Sequence, residues 1–248
     1  DSPASTKIIQ EWMEDPSLNN AEFDNPRNGF RSFNHFFTRD LKPGARPIDE
    51  IEDNSIIVSP ADGIINMIAN DLEIETQIPT KSGMSLNLNA LLDHSEYAEK
   101  FIGGTALAVF LMPHNYHHYH APISGTIVES KESVGDRLFG MPDMLDIINN
   151  GNVAYNKDYS VFENFKHGYF VIQTEIGYIG MIPIGLQTVG SVVFEDSFKN
   201  IEKGNEVNVN KGERLGHFKY GGSTVLLIFE KGMFASQSVR QGQQIGVI

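Results

Sequence analysis

VIQTEIGYIGMIPI, residues 171–184, holds two short β-branched runs, Val171-Ile172 and Ile176 to Ile184, punctuated by glycine and proline. Runs of this length between turn residues read as strands. The texture recurs on both sides, in Ile56-Ile57-Val58, Ala106 to Leu111, Val189 to Phe194, Val225 to Phe229 and Ile245 to Ile248. Together they predict a mostly antiparallel sheet. Two helices interrupt it, one from about Leu86 to Phe101 and a shorter one after Pro142 that ends near Asn150-Gly151. Upstream, Ser5 is placed to cap a turn whose Ile8, Ile9, Trp12 and Met13 share a stripe stopped by Asp15-Pro16. Ser32 is placed to cap a second turn with Phe33, Phe36 and Phe37. The predicted fold is α+β, mainly antiparallel sheet or sandwich with N-terminal helices. A helical arm over residues 1–50 packs on a β-rich domain over 51–248.

An internal echo supports one compact β architecture. Ser59-Pro60-Ala61-Asp62-Gly63-Ile64-Ile65 aligns with Ala121-Pro122-Ile123-Ser124-Gly125-Thr126-Ile127, and Val134-Gly135-Asp136-Arg137-Leu138 with Lys211-Gly212-Glu213-Arg214-Leu215. Each pair repeats one turn design.

Composition narrows the function. The chain has 248 residues, enough for a real core, and a net charge of −13 from 19 basic and 32 acidic side chains. Such a surface is unsuited to a phosphate backbone, so nucleic acid is excluded as the main partner. With no cysteine there is no disulfide framework, thiol nucleophile or thiolate metal site. The longest clean apolar run, Ala106 to Met112, is far too short to span a bilayer. The chain begins at Asp1 and not at Met, which leaves a preceding targeting or anchoring segment open and the compartment unassigned.

Three constellations carry chemistry. Gly221-Gly222-Ser223-Thr224 is, taken alone, a turn before a strand. Its chemical reading is that two glycines free the backbone so that the Ser223 hydroxyl reaches the Gly222 carbonyl carbon, giving an N-to-O acyl shift and then chain cleavage by β-elimination. Pro113-His114-Asn115-Tyr116-His117-His118-Tyr119-His120 packs four histidines into seven residues. A zinc site wants an ordered second shell that the sequence does not show, so no metal is assigned. In extended chain His118 and His120 face away from His117, which predicts different roles for different imidazoles. Asp62, in Ser59-Pro60-Ala61-Asp62-Gly63, is either an ordinary turn aspartate or, beside an imidazole, the acid that fixes its tautomer.

In combination these residues resemble the phosphatidylserine decarboxylase family, self-processing enzymes that depend on a pyruvoyl group. The likeness runs from about Ser32 to Gly232. It passes through Phe36-Phe37-Thr38-Arg39, Leu41 to Ile48, Ser59 to Gly63, Pro113 to His120, Val189-Gly190-Ser191 and Lys211 to Thr224. The resemblance implies a proenzyme cut between Gly222 and Ser223, with Asp62, His120 and Ser223 as the self-processing triad. Ser223 would become the pyruvoyl cofactor, and the remainder a 26-residue chain (248 minus 222). It implies that His117 moves the proton in decarboxylation and that phosphatidylserine is converted to phosphatidylethanolamine through a Schiff base. Family members carry Asp-Tyr-His-Arg where this chain has Asn115-Tyr116-His117-His118, so an arginine suited to an anionic group is absent at 118. Gly-Gly-Ser-Thr, in place of Leu-Gly-Ser-Thr, is a known variant.

Two other readings stay open at this point: a decarboxylase of a small soluble amino acid on the same fold, and an uncut, silent binding module. The reading allows a homodimer. Membrane contact rests on residues 27–46, where Arg27, Arg31, Arg39, Lys42 and Arg46 against Asp40 give a local +4, leaving −17 elsewhere. Arg31, Phe36, Phe37 and Arg39 are the candidates for a peripheral contact with anionic phospholipid or for the substrate mouth.

Overall fold

The computed structural model describes residues 3–74, 87–136, 164–187, 192–233 and 241. Ten strands form two antiparallel sheets among these residues. In chain order they are β1 (Ile64–Asn70), β2 (Thr105–Leu111), β3 (His118–His120), β4 (Gly125–Val134), β5 (His167–Thr174), β6 (Gly177–Gln187), β7 (Val192–Phe194), β8 (Val207–Val209), β9 (Arg214–Phe218) and β10 (Gly222–Phe229). The larger sheet runs β1-β2-β10-β6-β5-β4-β8 and the smaller β3-β9-β7. The architecture is α+β, as predicted.

β10 shows why the apolar runs are nearly continuous. Leu226 and Ile228 pack on one side with Phe101, Leu88 and Leu91. Val225, Leu227 and Phe229 pack on the other with Tyr119, Leu215 and Phe218 of the small sheet. Both faces of the strand are covered, so alternation with polar residues is lost. β6, its neighbour, tolerates Pro183 because the pairing with β5 joins His167 to Ile184 and resumes at Phe170 and Met181, skipping the residue without an N–H.

The first pair of the echo has a counterpart in three dimensions, while Arg137 and Leu138 of the second lie outside the described residues. Gly63 immediately precedes β1 and Gly125 opens β4, and a Cβ on either would lie 2.4 Å from the Phe110 carbonyl oxygen or 2.5 Å from that of Gln173.

Helix α1 (Pro3–Met13) starts at proline, a residue suited to a first turn, so Ser5 lies inside it instead of capping it. Helix α2 (Phe33–Phe37) is capped as predicted, the Ser32 hydroxyl accepting from the His35 amide at 3.1 Å. Ile9, Leu18 and Phe36 form a small core with Trp12, Met13, Phe30 and Phe33 packed on it.

The helix expected from Leu86 to Phe101 is split. Helix α3 covers Leu88–Leu91, Asp93 and His94 take left-handed φ values of 49° and 61°, and Glu96–Phe101 forms a 3₁₀ turn. Ile56 to Val58 is irregular chain, tied by the Val58 amide to the Pro122 carbonyl at 3.0 Å. The helix expected after Pro142, the run Ile245 to Ile248 and the beginning of Val189 to Phe194 lie outside the described residues.

Candidate active site

Ser223 enters β10 at a kink. It lies opposite Leu111 of β2 and Gly185 of β6, and the β6 register shifts by a bulge between Gly222 and Ser223. Bulges re-aim the side chain beside them. Gly221, just before the strand, has φ 152°, a positive value open to glycine and unfavourable for a residue with a Cβ.

The imidazole reaches Ser223 because β2 reverses directly after Leu111. The Asn115 side-chain oxygen accepts from the Met112 amide at 2.6 Å, while the Asn115 amide donates to the Met112 carbonyl at 2.9 Å. Asparagine thus closes this turn as an aspartate would. The chain then returns and sets His117 Nδ1 3.0 Å from Ser223 Oγ, both residues being fully buried. His117 Nε2–H donates to the Pro113 carbonyl over a long 3.4 Å, which leaves Nδ1 free to accept the serine proton. Burial lowers the His117 pKa to about 3, so the ring is neutral at ordinary pH. Phe37 lies flat on it, ring centroids 3.7 Å apart.

Asp62 and His120 form a second cluster. The His120 amide donates to the Pro60 carbonyl at 2.8 Å, Nδ1–H to the Gly212 carbonyl at 2.8 Å, and Nε2 accepts from the Tyr116 hydroxyl at 3.3 Å. Burial depresses its pKa, with the Gly212 bond opposing. Asp62 forms a short ion pair with Arg46 and accepts from the Tyr116 amide at 3.4 Å; Arg46 also holds Glu22. Arg46, Asp62, Tyr116, His120, Gly212 and Arg214 line a cavity of about 600 Å³. Of the four predicted catalytic residues, His117 and Ser223 therefore touch. Asp62 and His120 line the cavity, which neither His117 nor Ser223 lines, and are joined through Tyr116; the side chain on the Ser223 hydroxyl is His117 and not His120.

The different faces expected of the histidines are found. His118 is buried, stacks on Tyr116 at 4.6 Å and donates from Nε2 to the Thr38 carbonyl at 3.2 Å. It is not among the residues lining the cavity.

The membrane and mouth candidates need correction. Phe36 and Phe37 are core residues, and Arg39 is only 2% exposed. Helix α2 is one turn long and ends before Arg39. Arg39 instead lies over the rings of Phe23 and Phe36, at 4.0 and 4.7 Å, and burial lowers its pKa to about 10. Arg31 alone of the four is exposed. Tyr116, Arg46 and the role of Phe37 were not anticipated; a tyrosine directly before a His-x-x-His run was the available signal.

The family model for phosphatidylserine decarboxylase matches residues 33–247. The chain belongs to the phosphatidylserine decarboxylase family. A phosphatidylserine decarboxylase proenzyme of Clostridium novyi is 35% identical over 231 residues, covering 93% of this chain and 72% of the relative. One from Fusobacterium nucleatum is 34% identical over 230 residues, 92% of this chain and 70% of the relative. Proenzyme 2 of Oryza sativa is 33% identical over 234 residues, 93% of this chain but 34% of that longer protein. Among the described residues no helix is long and apolar enough to cross a membrane.

Proposed function

We propose that this chain is a proenzyme that cuts itself between Gly222 and Ser223 and then decarboxylates phosphatidylserine to phosphatidylethanolamine with a pyruvoyl group made from Ser223. The observation that supports it is a buried serine hydroxyl 3.0 Å from a neutral imidazole, at a strand bulge directly after a glycine pair.

In the cut, the Ser223 hydroxyl loses its proton as Oγ bonds to the Gly222 carbonyl carbon. The bond from that carbon to the Ser223 nitrogen breaks, the freed amine takes up a proton, and an ester remains. Loss of the Ser223 Cα proton expels Gly222 as a carboxylate, and water replaces the nitrogen, released as ammonia. Ser223, buried against His117, fits as the precursor. Once formed, the pyruvoyl group supplies the electron sink for the pair left when carbon dioxide departs. His117 then moves the proton at that position, while Asp62 and His120 serve self-processing.

A second reading is favoured by the 3.0 Å contact itself: His117 takes the Ser223 proton in the cut as well. Intact-mass measurement tests the shared claim. A chain ending at Gly222 and a 26-residue chain (248 minus 222) lighter than its serine form by one ammonia are expected. A permanently intact chain overturns it. Between the two readings, a His117→Ala chain that is cut but releases no carbon dioxide supports the first, and an uncut one the second.

A further inference from the structure

Gly221 and Gly222 have no side chains to hold them, so the segment before the cut needs anchors at both ends. Downstream the anchor is β10, where Ser223 is paired on both sides. Upstream, β9 has already ended at Phe218. The anchor there comes from α2, nearly two hundred residues earlier in the chain. The Asn34 side-chain oxygen accepts from the Tyr220 amide at 3.0 Å. The Tyr220 ring meets Phe33 edge-on at 4.8 Å and Phe37 at 5.3 Å. Phe37 is also the ring stacked on His117. One helical turn therefore grips the backbone two residues before the reacting carbonyl and the imidazole at the nucleophile. Tyr220 is 44% exposed, so general burial does not account for its place.

We propose that α2 clamps the scissile segment for self-cleavage, with Asn34 and Tyr220 as its positioning residues. The inference rests on the proposed cut between Gly222 and Ser223. Small displacements of a nucleophile from its target slow intramolecular reactions strongly, so loosening one end of a two-glycine link reads out as rate.

The test follows cleavage of the full chain with time during cell-free synthesis. Asn34→Ala is expected to cut about tenfold more slowly, the loss that one ordinary hydrogen bond carries. Asn34→Asp, which keeps the acceptor oxygen, is expected to recover to within about twofold. Tyr220→Phe keeps both ring contacts and cuts normally, whereas Tyr220→Ala is slow. Asn34→Ala cutting at the wild-type rate, or Asn34→Asp remaining as slow as Asn34→Ala, overturns the clamp while the proposed function stands. So does a slowdown matched by a large fall in melting temperature when the same changes are made in uncuttable Ser223→Ala chain. A wild-type chain that never cuts overturns both.

Discussion

Arg39 Nη2 donates to the His114 carbonyl at 2.9 Å, joining residues 75 positions apart. Its Nη1 donates to the Phe36 carbonyl at 3.2 Å, so one buried guanidinium ties α2 to the segment that carries His117. Arg39→Met keeps the apolar stem and strands the His114 carbonyl, whereas the Phe36 carbonyl still accepts from the backbone amide of residue 39 at 3.2 Å. The expected cost is about 2 kcal/mol, a fall of roughly 4–8 °C in melting temperature for a chain of this size. Differential scanning calorimetry of the Ser223→Ala chain measures it, and an unchanged transition would contradict the tie.

His117 and His118 give the protein an acid-sensitive interior. Burial holds both near pKa 3, against 6.5 for an unburied imidazole. Between those values the unfolded chain carries the extra protons, so stability falls as pH drops below about 6.5. Each ring contributes on the order of 1.4 kcal/mol per pH unit in that window. His118→Gln keeps a donor for the Thr38 carbonyl and cannot titrate, so denaturation midpoints between pH 4 and 6 should depend less steeply on pH. An unchanged slope would assign the acid sensitivity elsewhere.

Gly212 supplies the carbonyl that His120 holds and has φ 79°, in the left-handed region. A Cβ there would lie 2.6 Å from Ile48 Cγ1. Gly212→Ala is expected to cost about 1–3 kcal/mol in backbone strain and to shift this acceptor. Under the proposed self-processing role of His120, cleavage should slow with it. Normal cleavage at a lowered melting temperature would make the turn structural only.

How much of this was legible depended on range. The Ser32 cap was readable because its partner, the His35 amide, is three residues away. β10 was readable because an apolar run covered on both faces has few alternatives. β4 was missed because Glu129, Ser130, Lys131 and Glu132 interrupt its apolar pattern. The break in the helix after α3 falls at Asp93 and His94, residues that carry no glycine or proline signal for a left-handed backbone. Gly222-Ser223 and the histidine run were visible as motifs, but the contact between His117 and Ser223 spans 106 residues and is made by the β2 reversal beside β10. Arg39 looked like surface charge because nothing local shows that Phe23 and Phe36 will enclose it.

The same burial changes the expected membrane contact. Of the basic residues between 27 and 46, Arg39 is enclosed and Arg46 is engaged by Glu22 and Asp62, while the Lys42 amine donates to the Ala21 carbonyl. Arg27 and Arg31 remain as exposed cations beside the exposed but carbonyl-bound Lys42, with Phe30 and Phe33 partly buried between and beside the two arginines. At about 1 kcal/mol per basic residue near an anionic surface, two arginines supply about 2 kcal/mol, roughly thirtyfold in binding. The net charge of −13 opposes them at low salt, where repulsion reaches further. The arm is therefore expected to bind phosphatidylserine vesicles weakly, and Arg27→Glu with Arg31→Glu to remove most of that binding in sedimentation. Arg39 is unsuited to this test because its loss disturbs the His114 tie. Full binding by the doubly reversed chain would place the lipid contact on another surface. Carbon dioxide release from a free amino acid, with no binding to vesicles by the cut enzyme, would replace the lipid with a soluble substrate.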